Sequence, residues 1–172
     1  MQRTSREGFQ VHSVAFSLPP ASKTSQFGPN VLTMIQKAFV AVDHREGPAT
    51  PDNVVPALLL YNMGLSFHLQ AVRTGKTSYI VRASEFYRYA MSLLEAGSAR
   101  PKALMAALAN NMGHISASMF HARNLKTAMT MLKNLMDDPT TERSLQEDEL
   151  DILTMNWVFY SEYHHTALAA AA

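Results

Sequence analysis

The sequence predicts a mainly α fold: a stack of antiparallel helical hairpins with a small two-stranded β ribbon formed by the N- and C-terminal segments. Three observations predict it. One phrase occurs twice, as Tyr61-Asn62-Met63-Gly64-Leu65-Ser66 and as Asn110-Asn111-Met112-Gly113-His114-Ile115, so two copies of one unit are present. Around each copy apolar residues recur at helical spacing, and each is followed by a turn and a second apolar stripe. Residues 9–18 and 150–160, in contrast, are rich in β-branched and aromatic residues that read more readily in twos.

With 172 residues, 47% of them hydrophobic, the chain is long enough for one domain with a real core. No cysteine occurs, which excludes disulfides and thiolate metal sites and suits a reducing compartment such as the cytosol or nucleus. Residues 1–10 are polar and lack the apolar run of a secretory leader. The net charge of +1 hides an asymmetry: residues 1–136 hold 14 Lys and Arg against 6 Asp and Glu, whereas residues 137–151 hold 7 acids and only Arg143. The acidic stretch 137–149 reads as a solvated loop, with a self-masking segment or a docking site for a basic partner as the alternative.

In chain order, residues 1–30 are an N-terminal strand and loop: a strand over 9–18 stopped by Pro19-Pro20, then a Ser/Thr-rich stretch and a Gly28-Pro29 turn that delivers Asn30 as a helix cap. Residues 31–136 form the helical core. Val31, Ile35, Ala38, Phe39 and Val42 fall on one stripe and predict a packing helix over 31–42, and Gly47, Pro48 and Pro51 mark a linker. The first hairpin spans 52–72 and 78–95, with Gly75 in its turn. Gly64 in mid-helix costs about 1 kcal/mol relative to Ala, which implies a close approach by another helix there, and the same holds for Gly113. Gly97 and Pro101 punctuate the passage to the second hairpin, 100–121 and 124–136, where Asn124 is the expected cap and Asp137-Asp138-Pro139 the stop. Two charge-free stretches, 53–72 and 103–121, approach membrane-spanning length. Asn62, His68 and Gln70 in one and Asn110, Asn111 and His114 in the other fit inner helices of hairpins instead, so no membrane contact is expected. Residues 150–160 are read as a strand in preference to a capping helix, pairing antiparallel with residues 9–17, and 161–172 as a tail.

Tyr61-Asn62-Met63-Gly64 with Phe67, then Ala83, Tyr87 and Ala90, resembles the tetratricopeptide repeat, an aromatic-Asn-Leu-Gly phrase followed by Ala, an aromatic and Ala on a second helix. Asn110-Asn111-Met112-Gly113 with Ala128, Leu132 and Leu135 is similar but departs further. The two glycines stand 49 residues apart, where the family has about 34. The chain is also similar to uncharacterised diatom-type helical-repeat proteins, which carry no known activity.

The tetratricopeptide resemblance implies a noncatalytic protein-interaction scaffold whose inner helices take a peptide or helix, with Asn62 and Asn111 bonding the partner's backbone. Tyr61, Leu65, His68, Asn110 and His114 lie on nearby helical positions. Interhelical hydrogen bonding and core packing form the competing reading of the same residues. Self-association would extend so short a surface. The alternative function is nucleic-acid or acidic-protein binding through the basic face of the first hairpin, made by Arg73, Lys76, Arg82, Arg88, Arg100 and Lys102.

No reactive constellation appears. His68, His114 and His121 have no nucleophile with an orienting acid, and His164-His165 beside Glu162 lack the i, i+4 spacing of a helical metal site. Gly75-Lys76-Thr77 resembles the end of a P-loop but lacks the preceding Gly. No enzyme activity, cofactor or metal is expected.

Overall fold

Two antiparallel helical hairpins form the body of the protein, as a computed structural model that describes residues 10–15, 34–42 and 51–170. The first pairs α1 (Val54–Thr74) with α2 (Thr77–Ala96), the second α3 (Lys102–Ser118) with α4 (Ala122–Met136). A single turn, α5 (Pro139–Glu142), leads into a long closing helix, α6 (Glu147–Ala170). Outside the helices lies an antiparallel ribbon of β1 (Gln10–Ala15) and β2 (Lys37–Val42), in which Ser13 stands opposite Phe39.

Local chemistry accounts for each hairpin. α1 turns its Val54, Ala57, Leu58, Tyr61, Leu65 and Leu69 inward and ends at Gly75, whose φ of 69° lets its N–H reach the Ala71 carbonyl at 2.8 Å. A Cβ on Gly64 would stand 2.7 Å from the Tyr87 ring, so the close approach implied by a mid-helix glycine is real. At Gly113 the nearest neighbour is the end of the Met129 side chain, which can move. α3 is buried at every position from Ala103 to Asn111, which explains why that stretch carries no charge: it is the central helix. Leu104, Leu108, Met129, Leu132 and Leu153 are fully enclosed around it, each contributing about 2 kcal/mol by burial. Among the described residues no helix is long and apolar enough to cross a membrane.

The second hairpin turns differently. Phe120, 91% exposed, takes the left-handed conformation at φ 57°, and the His121 N–H closes the helix end on the Ser116 carbonyl at 2.8 Å. That bond pattern normally falls to Gly. The helix that follows is capped at His121, not at Asn124.

Four further expectations are corrected. Residues 34–42 are extended, not helical, and they supply the partner of the N-terminal strand. Their apolar spacing fits a helix, but the backbone of Ile35 and Phe39 is satisfied by side chains 76 and 23 residues away, and these non-local bonds outweigh the local period. Residues 150–160 belong to α6 and pair with no strand, so the ribbon is built from two N-terminal segments. The inward stripe of α6 is Glu149, Leu153 and Asn156, spaced 4 and 3 apart, and its two polar members conceal the helical period from a count of apolar residues. Neither the 137–149 loop nor the 161–172 tail stands as read: α5 and the acidic first turn of α6 occupy the first, and α6 runs on to Ala170. The cap at Asn30 and the first part of the 31–42 helix lie outside the described residues.

Candidate functional site

The inner helices α1 and α3 present their polar residues to one segment of the chain itself. Asn111 accepts a hydrogen bond from the Ile35 N–H at 2.7 Å on Oδ1 and donates from Nδ2 to the Ile35 carbonyl at 2.9 Å. Asn62 does the same for Phe39, accepting from its N–H at 3.0 Å and donating to its carbonyl at 2.9 Å. A carboxamide offers one acceptor and one donor side by side, the same pair a neighbouring β-strand offers, so each asparagine replaces one rung of a ladder. Ile35 and Phe39 are four residues apart, about 13 Å in extended chain, so the two amides hold the segment straight as well as in place.

Between these points the Tyr61 hydroxyl donates to the Lys37 carbonyl at 3.2 Å. The Lys37 carbonyl and both main-chain groups of Phe39 are thereby bonded to the helices, and the alternate residues Ala38 and Val40 face β1 across the ribbon. Phe39 is 1% exposed and meets Tyr61 edge to face at 5.2 Å between centroids. Ile35 is equally enclosed.

A second layer of hydrogen bonds fixes the asparagines. Asn111 Nδ2 also reaches the hydroxyls of Tyr87 at 3.3 Å and Tyr61 at 3.4 Å. Asn110 Nδ2 donates to Asn111 Oδ1 at 3.3 Å, and Asn156 of α6 donates to Asn110 Oδ1 at 2.6 Å. His68 Nδ1 lies 3.3 Å from the Tyr87 hydroxyl, and its Nε2 lies 3.0 Å from His114 Nδ1. With the Tyr87 oxygen accepting from Asn111, its proton goes to His68 Nδ1, so His68 donates from Nε2 to His114: one directional chain from amide to imidazole. The chain requires an unprotonated nitrogen on each ring. Burial, and secondarily His114, holds the His68 pKa well below its usual value; burial lowers that of His114 to about 4. Burial likewise pushes both tyrosine hydroxyls upward, which keeps them donors.

The acidic stretch closes the third side. Lys37 Nζ donates to Gln146 Oε1 and Asp148 Oδ1, each at 2.7 Å, and stands 3.8 Å from Glu149 Oε1. Glu149 is 1% exposed; its Oε2 accepts from the Gln146 N–H at 2.9 Å, and its Oε1 has no hydrogen bond. The hydrogen bond from Lys37 is the main cause that lowers the Asp148 carboxyl below its usual pKa. Two acids of this run, Asp148 and Glu149, face Lys37 of the same chain, and Asp138 pairs with Lys102, so these acids are engaged within the protein and do not lie in a solvated loop.

Of the residues singled out in the sequence, Tyr61, Asn62, Asn110, Asn111, His68 and His114 converge on this seat, while Leu65 is enclosed and only packs. Within the chain, Asn62 and Asn111 bond the extended backbone of Phe39 and Ile35, whereas His68, His114 and Asn110 bond between helices. Lys37, Tyr87, Glu149 and Asn156 were not marked as site residues. A helical reading of 147–160 would have found the last two. Among the described residues no three His, Asp or Glu side chains gather as a metal site requires. Compared with known proteins, the chain matches no family model, no curated protein and no solved structure.

Proposed function

We propose that the protein is a noncatalytic, tetratricopeptide-like interaction module whose α1–α3 face binds a peptide in extended conformation. One observation carries this reading: Asn62 and Asn111, matching residues of the two repeated phrases, each close a donor-acceptor pair on the backbone of a single extended residue. Two equivalent amides set to read main chain at a spacing of four residues suit a strand. A helix has its own N–H and C=O groups already paired, so the peptide-or-helix expectation narrows to an extended peptide.

The basic-face alternative has less support. Lys102 pairs with Asp138 at 3.1 Å, Arg100 donates to the Glu95 carbonyl at 3.0 Å, and Arg82 lies over the Phe67 ring at 6.0 Å. Half of the basic residues named for that face are thus engaged within the protein.

The reading is tested by selecting a displayed library of random nine-residue peptides on the full chain carrying Phe39→Ala, with helicity checked by circular dichroism and the wild type selected in parallel. Peptides enriched on the variant and lost when Asn62→Ala is added support the module. Enrichment that ignores Asn62, or none on either chain, overturns it.

A further inference from the structure

Main-chain pairing is blind to side-chain identity, so whatever the seat discriminates must come from the side chains it encloses. Three alternate residues of the resident segment meet three different surfaces. Ile35 and Phe39 are each 1% exposed, the second against the Tyr61 ring. Lys37 lies between them, its side chain 15% exposed, in a cup formed by Gln146, Asp148 and Glu149 at the start of α6. Of the two intervening residues Gln36 is exposed, whereas Ala38 is buried and leaves room only for a small side chain. Glu149 gives the cup its charge requirement: it is a buried carboxylate with one oxygen lacking a hydrogen bond, and the Lys37 ammonium is the cation that faces it. A neutral or acidic residue at the middle position leaves that charge uncompensated.

Resting on the function proposed above, we propose that the seat selects extended peptides of the pattern aliphatic-x-Lys-small-aromatic, and that residues 34–42 are its resident occupant, which such a peptide displaces. Eleven residues separate the ribbon's end at Val42 from the start of α1 at Val54, so the resident is held near the seat at an effective concentration on the order of millimolar. A peptide supplied from outside competes with that concentration. The wild type therefore binds weakly, and any change that loosens the resident unmasks the seat.

The test uses a fluorescent peptide with the sequence of residues 34–42, titrated by anisotropy into the full chain. Binding is expected to be about tenfold or more tighter on the Phe39→Ala chain than on wild type, because the tethered competitor is weakened. The same peptide with Lys37→Glu should bind that chain about tenfold or more weakly, and regain affinity on a chain that also carries Asp148→Lys. Hydrogen exchange of the wild type with excess peptide supplies a measurement that needs no variant: amides of 37–42 should lose protection while those of α1 and α3 keep it. Equal binding of the Lys and Glu peptides overturns the proposal, as does unchanged protection over 37–42. If the peptide library yields binders that depend on Asn62 but lack a basic centre, this specificity fails and the binding module stands. If no peptide binds, both fail.

Discussion

Asn62 and Asn111 hold the same place in the two copies of the phrase and make the same two bonds, yet their surroundings differ. Asn62 is half-buried and, among the described residues, hydrogen-bonds Phe39. Asn111 is fully buried and shares its amide with Ile35, Tyr61, Tyr87 and Asn110. The two glycines of the phrase divide likewise, Gly64 against a rigid ring and Gly113 against a movable thioether. Even the hairpin turns diverge, one taking its left-handed residue as Gly75 and the other as Phe120. The comparison teaches that a repeated phrase transmits a backbone-reading device, while the neighbours decide how much stability depends on each copy.

The sharpest way to break the comparison is to delete each amide. Asn111→Ala leaves the Ile35 N–H and C=O buried without partners and frees two tyrosine hydroxyls, a loss of about 4 kcal/mol. Asn62→Ala should lose about 1.5 kcal/mol, because water can reach the groups it leaves. Urea unfolding of the two variants measures both, and equal losses would show that the inner network adds nothing.

The histidine pair couples the two copies, one ring from each inner helix. Both folded pKa values lie below the unfolded value, so the unfolded chain binds more protons as pH falls. Stability is fully present above about pH 6.5 and declines toward pH 4, by about 3 kcal/mol for His114 alone. Unfolding free energy of wild type against His114→Phe across that range should show a flatter profile for the variant.

The glycines come next. Gly64→Ala forces the buried Tyr87 ring to shift and should cost about 2 kcal/mol, whereas Gly113→Ala gains about 1 kcal/mol of helix propensity against a Met129 adjustment and should lie near zero. Thermal melts distinguish a difference of this size. One change should be a gain: Phe120→Gly relieves the left-handed strain on an exposed side chain and should stabilise by about 1 kcal/mol. A decrease in Tm would mean that the Phe120 ring makes a contact that outweighs its backbone conformation.

Much of the hairpin architecture was legible in the sequence because its determinants are local. Apolar spacing, Gly75, Gly97 and Pro101 placed all four helices of the hairpins to within a few residues, and Gly64 announced its close approach. Asn62 and Asn111 stood out in the sequence through the repeated phrase, but the backbone they bond is the chain's own. What they bond was not legible. Residues 34–42 satisfy a helical stripe on paper and become extended because β1 on one side and Asn62, Asn111 and Tyr61 on the other supply their hydrogen bonds from afar. The middle of α6, residues 150–160, was read as a strand for a related reason: the inward face of the helix carries Glu149 and Asn156, whose burial makes sense only beside Lys37 and Asn110. Local pattern reveals elements that bury apolar surface, and it is silent about elements held by polar partners far along the chain.

The contacts of Lys37 also place the seat in time. Its partners Gln146 and Asp148 lie 109 and 111 residues further on, and Asn111, which holds Ile35, lies 76 beyond it. A ribosome adding 5–20 residues per second needs roughly 6 to 22 s to travel from Lys37 to Asp148. Throughout that interval the segment has been made but its cup has not, so the strand precedes every helix in synthesis and is among the last elements to be locked in.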